Sequence, residues 1–159
     1  MIKVYIADKT NFSSSENIIR AVLEKFYEIT SPVLLKTENG KPYLENDSVF
    51  FSLSHTKEKY FLAVAPYPVG IDAEKSDRTI DPLVAKRYFP KESFESGQSL
   101  LRKWLQTESK VKLLGSTLQK ELTAPSERQP FFSFHETDGH TVCGCSDELA
   151  PIEYVFINF

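Results

Sequence analysis

The sequence predicts an α+β protein, and three stretches carry that prediction. Near the start, "KVYIA" (3–7) reads as a strand leading into the amphipathic helix pattern "SSSENIIRAVLEKFYEI" (13–29). In the middle, "SVFFSLSHTKEKYFLAVAPYPVGIDAEKS" (48–76) reads as successive buried strands. Towards the end, "PFFSFHETDGHTVCGCS" (130–146) reads as a hairpin with Asp-Gly near its turn.

The elements follow in order. In the first helix, Ser13 and Glu16 have capping-box spacing, and Ile18, Ile19, Val22, Leu23 and Phe26 form one apolar face. "ENGKP" (38–42) is a turn, because Asn-Gly supplies a positive φ and Pro42 fixes the exit. "VFFSLS" and "YFLAVA" are strands joined by "HTKEK", and "PYP" separates them from "VGIDAE". "TIDPLVAKRYF" (79–89) and "SLLRKWLQTESKVKLL" (99–114) read as helices. "GSTLQKELTAPSERQ" (115–129) is the least regular stretch, and "EYVFIN" (153–158) is a closing strand. No low-complexity tract or repeat interrupts the chain.

Composition bounds the function. A chain of 159 residues suits one ordinary domain or two very small lobes sharing a core. Its 12 Phe and 7 Tyr give a bulky aromatic interior. A net charge of −3 directs no general field at nucleic acid or membrane. No apolar run approaches the roughly 18 residues of a membrane span, and "MIKVYIADKT" is no signal peptide. Cys143 and Cys145 lack the partners that a metal or redox site needs and read as reduced side chains of a cytoplasmic protein.

The chemistry-bearing residues lie in the middle third. On an extended "VGIDAE", Asp72 and Glu74 point to one face, with Ala73 opposite. On the later helix, Glu108 and Lys112 share a face at i, i+4. Three carboxylates converging from a strand and a helix are oxygen donors of the type Mg²⁺ takes, and a hard cation suggests phosphate chemistry. The same spacings also suit plainer roles. Asp72 can end a strand, Glu74 can be a solvated charge, His55 can be a structural histidine, and Glu108 with Lys112 can be a surface ion pair.

Order along the chain narrows the choice. "GKPYL" (40–44), "FSLSHT" (51–56), "VGIDAEK" (69–75), "AKRYFPKESF" (85–94) and "KWLQTESKVKLLG" (103–115) occur in succession. The chain thereby resembles the 4′-phosphopantetheinyl transferases of the surfactin-synthetase-activating type, over about residues 38 to 115. The resemblance implies Asp72, Glu74 and Glu108 as ligands of Mg²⁺. It implies Lys41, Ser54 and His55 as contacts of coenzyme A, and Lys112 as a lysine reaching its pyrophosphate. Glu108, directly or through a metal-bound water, would be the base that activates the serine hydroxyl of an acyl or peptidyl carrier protein. The family's lysine before that glutamate is Thr107 here, which can donate a hydrogen bond but supplies no charge.

The fold so implied has two small lobes in a pseudo-twofold arrangement, each an antiparallel sheet packed on a helix. Residues 1–68 and 69–159 would form the lobes of one compact unit, with the boundary near residues 66 to 78 and the cofactor between them. Such a chain can work as a cytoplasmic monomer, without nucleic acid or membrane. The alternative is a catalytically degenerate relative that binds coenzyme A or a carrier protein. Lys86, Arg87, Lys91, Arg102 and Lys103 would suit an acidic carrier helix.

Overall fold

Alternation along two neighbouring strands organises the whole molecule. In the computed structural model, which describes residues 1–46 and 48–159, β1 (Ile2–Asp8) and β5 (Lys59–Ala65) pair antiparallel and are almost wholly buried. Tyr5, Ala7, Tyr60, Leu62 and Val64 serve one core; Val4, Ile6, Phe61, Ala63 and Ala65 serve another. A near-continuous apolar run, whose successive side chains point to opposite faces, is what a sheet covered on both faces requires.

Helix α1 (Ser15–Tyr27) covers the first face with Ile18, Ile19, Val22 and Leu23. Its cap is Ser14, whose Oγ accepts from the Asn17 amide at 3.2 Å, one residue later than the spacing predicts. Ser13 instead accepts from the Asn17 side chain, and Glu16 is held by Arg20 at 2.8 Å rather than reaching back to the cap. The chain then makes a small hairpin of β2 (Leu34–Lys36) and β3 (Pro42–Leu44), with Gly40 at φ 81° in its turn as Asn-Gly predicts.

The main sheet is completed by β4 (Phe50–His55) beside β5 and by β9 (Ile152–Phe156) beside β1. β9 runs parallel to β1, so this sheet is mixed rather than purely antiparallel. Residues 152–156, which a division at residue 68 places with the second lobe, therefore belong to the sheet of the first.

β6 (Gly70–Lys75), β8 (His140–Ser146) and β7 (Phe131–Thr137) form a second, antiparallel sheet. Asp138 and Gly139 both take positive φ in the β7–β8 turn, the two-residue hairpin that Asp-Gly predicts. Ile71, Ala73 and Val142 pack against the second face of the main sheet. The opposite side of this sheet, through Cys143 and Phe134, packs with Leu100, Leu101 and Leu105 of α3 (Gly97–Leu114). The layer order is helix, sheet, sheet, helix. α2 (Pro82–Tyr88) begins at the Asp81 cap with Pro82 as its first residue.

The stretch 115–129 contains a helix that periodicity does not announce, α4 (Leu118–Thr123), capped by Thr117 at 3.2 Å from the Lys120 amide. Six residues are too few for a 3.6-residue pattern. What holds α4 is tertiary, a buried pair of Glu121 with Lys110 at 2.6 Å. Among the described residues the fold is thus α+β, with four helices and nine strands in three sheets. None of those helices is long and apolar enough to cross a membrane.

Polar contacts also tie the two larger sheets together. The free edge of β6 is covered by hydroxyls of β4: Ser52 Oγ accepts from the Ile71 amide at 3.2 Å, and Ser54 Oγ from the Ala73 amide at 3.1 Å. At one end of the molecule, Lys59 Nζ lies 2.7 Å from Asp8 and 2.9 Å from Asp138, joining β5 to the β7–β8 turn. These two hydrogen bonds raise the lysine pKa above its ordinary 10.5. The contribution is therefore complete at neutral pH and is lost as pH rises through the elevated value. Lys59→Met is expected to melt a few degrees lower at pH 7, with both carboxylates exposed enough for solvent to screen part of the pair. In urea titrations the gap should narrow above about pH 10.5.

Candidate functional site

A glycine sets the distance between β6 and α3. A Cβ added at Gly70 would lie 2.0 Å from the Ser109 carbonyl oxygen and 2.8 Å from the Leu113 amide nitrogen. The absence of a side chain lets strand and helix backbones meet there, which brings Asp72 and Glu74 opposite the turn of α3 that carries Glu108 and Lys112.

Asp72 is buried at the centre. Its Oδ1 accepts from Ser54 Oγ at 2.9 Å and from Lys112 Nζ at 2.8 Å. Glu74 is paired with Arg78. Burial raises the pKa of Glu108 most, with the charges of Asp72 and Glu74 adding to the rise and those of Lys112 and Arg78 opposing it. Burial likewise dominates the raised pKa of Glu74; Arg78 opposes that rise and Asp72 adds to it. Three carboxylates and two cations thus feel one another as a single electrostatic cluster.

The β2–β3 turn approaches the same helix from outside. Asn39 Nδ2 donates to the Gly115 carbonyl at 2.8 Å, and Lys41 Nζ donates to the Lys112 carbonyl. The Lys112 carbonyl also accepts from the Gly115 amide at 3.3 Å, and a cation beside it suits the negative end of the helix dipole. Between α1, this hairpin, β4 and the end of α3 lies a cleft of about 430 Å³. Lys36, Lys41 and Lys112 line it together with the apolar Ile19, Phe51 and Leu53.

Of the residues expected from the sequence, Asp72, Glu74, Glu108, Lys112 and Ser54 come together, and Lys41 joins them through the Lys112 carbonyl. The Ser54 hydroxyl is committed to Asp72 and to the Ala73 amide, so it orients the carboxylate. His55 stands at the exposed end of β4, with Nδ1 3.4 Å from Lys9 Nζ and its ring edge-on to Tyr60. Thr107 donates its hydroxyl back to the Lys103 carbonyl at 2.9 Å and lines a different cleft, beside Tyr88 and Lys110. Sequence reasoning missed Arg78, although Glu74 and Arg78 are four residues apart. It also missed that Ser52 and Ser54, at i and i+2, would share the edge of β6.

The donors can be tested against a metal. Among the described residues, no three His, Cys, Asp or Glu side chains stand close enough to hold an ion. Oxygen donors of this kind suit a hard divalent cation: beyond the effect of burial, the charge of Asp72 raises the proton affinity of Glu74 and of Glu108, and such a cation would offset that repulsion. Lys112 and Arg78 supply the positive charge in this arrangement.

No protein-family model matches the chain, and a search of curated proteins finds no match either.

Proposed function

We propose that the chain is a compact 4′-phosphopantetheinyl transferase, moving the 4′-phosphopantetheine arm of coenzyme A to a serine of an acyl or peptidyl carrier protein. One observation carries this reading. The carboxylates that the motif order singles out, Asp72, Glu74 and Glu108, share one cluster, and that cluster adjoins a cleft walled by three lysines. Asp72, Glu74 and Glu108 would hold Mg²⁺ only after drawing closer and exchanging Lys112 and Arg78 for the ion, which when bound would neutralise charge on the pyrophosphate and on the departing 3′,5′-ADP.

The chain's own residues do the rest. Lys41 and Lys112 hold phosphate oxygens from the cleft side. Ser54 fixes the Asp72 carboxylate by its 2.9 Å hydrogen bond. The carrier serine oxygen bonds to phosphorus as the bond from phosphorus to the ADP oxygen breaks, and Glu108 takes the serine proton. The exposed α2, with Lys86 and Arg87 in its last turn, offers cations to an acidic carrier helix. Each half of the molecule lays a sheet on a helix, which supports a pseudo-twofold relation between two lobes.

The ion pairs favour a second reading. With Lys112 on Asp72 and Arg78 on Glu74, the acidic cluster is already compensated, as in a non-catalytic binder of coenzyme A or of a carrier protein. Intact-protein mass spectrometry separates the two. A transferase adds the mass of the arm to a carrier serine in the presence of coenzyme A and Mg²⁺; a binder associates and adds nothing.

A thermal melt tests the shared site. Coenzyme A with Mg²⁺ is expected to raise the melting temperature by several degrees, since a ligand present at about 100 Kd stabilises by about 2.7 kcal/mol. Asp72→Ala should abolish the joint effect. Unchanged melting with both ligands present counts against the site.

A further inference from the structure

Lys41 has surroundings that its role as a helix cap does not explain. It follows the Asn39-Gly40 turn and is half-buried in the wall of the 430 Å³ cleft, whose other walls include Ile19, Leu34, Phe51 and Leu53. Among the described residues no carboxylate lies within ion-pair distance of it. Among the described residues its ammonium has one hydrogen bond, to the Lys112 carbonyl. Burial lowers its pKa from the ordinary 10.5; Cys145 opposes that shift, and the charge of Lys112 reinforces it. A lysine desolvated by apolar walls and set beside a second ammonium loses proton affinity and gains reactivity as an amine.

We propose that Lys41 is a nucleophilic lysine that forms an imine, within this cleft, with a small carbonyl compound bearing a phosphate or carboxylate. The neutral amine adds to the carbonyl carbon, and an amine proton passes to the carbonyl oxygen. The carbinolamine then loses water as the C=N bond forms. No oxidant or reductant enters. Lys36, which lines the same cleft, supplies the charge that would hold the anionic group, while Lys112 is already paired with Asp72. This chemistry is independent of the transferase reading, in which Lys41 remains a protonated phosphate contact.

The probe is pyridoxal 5′-phosphate, an aldehyde that carries a phosphate. The full chain is incubated with a limiting amount, reduced with borohydride, and mapped by peptide mass spectrometry. Lys41 is expected to carry several-fold more adduct than Lys57 or Lys120, which are exposed and serve as internal controls. Pyridoxal, which lacks the phosphate, should label Lys41 several-fold less. Lys41→Arg keeps a cation able to reach the Lys112 carbonyl and should lose the selective adduct while melting like the wild type. Adduct spread evenly over the exposed lysines, or Lys41 left unmodified in folded protein, overturns the proposal. Equal labelling of Lys41 by pyridoxal overturns its anionic half.

Discussion

Glu108→Gln is expected to lower the rate of arm transfer by about a hundredfold to ten-thousandfold, the range that removal of a positioned general base covers. The replacement keeps the shape of the side chain and removes its charge. Burial and the neighbouring Asp72 already oppose that charge, so the fold should not suffer. The sign of the pH effect follows. A carboxyl whose folded pKa lies above 4.5 binds its proton more tightly when folded, so ionised Glu108 weakens the fold at neutral pH. As pH falls through the raised value, the wild type should gain stability relative to Glu108→Gln. Urea titrations of ligand-free protein at several pH values measure this. If instead the glutamine variant transfers the arm at the wild-type rate, Glu108 is not the base.

Gly70→Ala is expected to be the most damaging single-methyl change in the molecule. The new Cβ would meet two backbone atoms of α3, one of them at 2.0 Å, and neither can swing away as a side-chain tip can. Overpacking of this kind costs roughly 1–3 kcal/mol and occasionally more, so a fall of roughly 5–10 °C in melting temperature is expected. The strand and the helix must part to admit the methyl, and the 2.8 Å contact of Lys112 with Asp72 lengthens with them. Loss of the joint response to coenzyme A and Mg²⁺ should therefore accompany the lower melting temperature. Gly97→Ala is the control, because nothing lies within 4 Å of a Cβ placed there. Should both variants melt alike, the close approach at Gly70 does not limit the fold.

Much of this arrangement can be read from the chain because it is local. Strand-like apolar stretches mark β1 and β5, Asp138-Gly139 marks the β7–β8 hairpin, and i, i+2 or i, i+4 spacing puts Asp72 with Glu74 and Glu108 with Lys112. Other features depend on partners far along the chain. Ser54 looks like one more strand residue until β6 supplies Asp72 and the Ala73 amide, 18 and 19 positions away. The parallel seat of β9 against β1 has no local signature, because a parallel pair has no hairpin turn to betray it. The α1 cap was misplaced for another reason: three consecutive serines offer equivalent hydroxyls, and Glu16 is drawn away by Arg20. His55 and Thr107 fall outside the cluster because neighbours in sequence point differently, outward at a strand end and around the far side of a helix.

The pairing of Ile2 with Ile152 gives the protein a history during its synthesis. At about 5–20 residues per second, a ribosome needs roughly 8–30 s to travel from the first of these strands to the last. Through that interval one edge of β1 waits with its amides and carbonyls unpaired, next to strands that are apolar on both faces. An open edge of that kind is a template for any other extended chain in reach. The growing polypeptide is thus most exposed to aggregation while Asp72, Glu74 and Glu108 are already made and β9 is not. A holding chaperone would matter most in that window, and its task would end when β9 closes the edge.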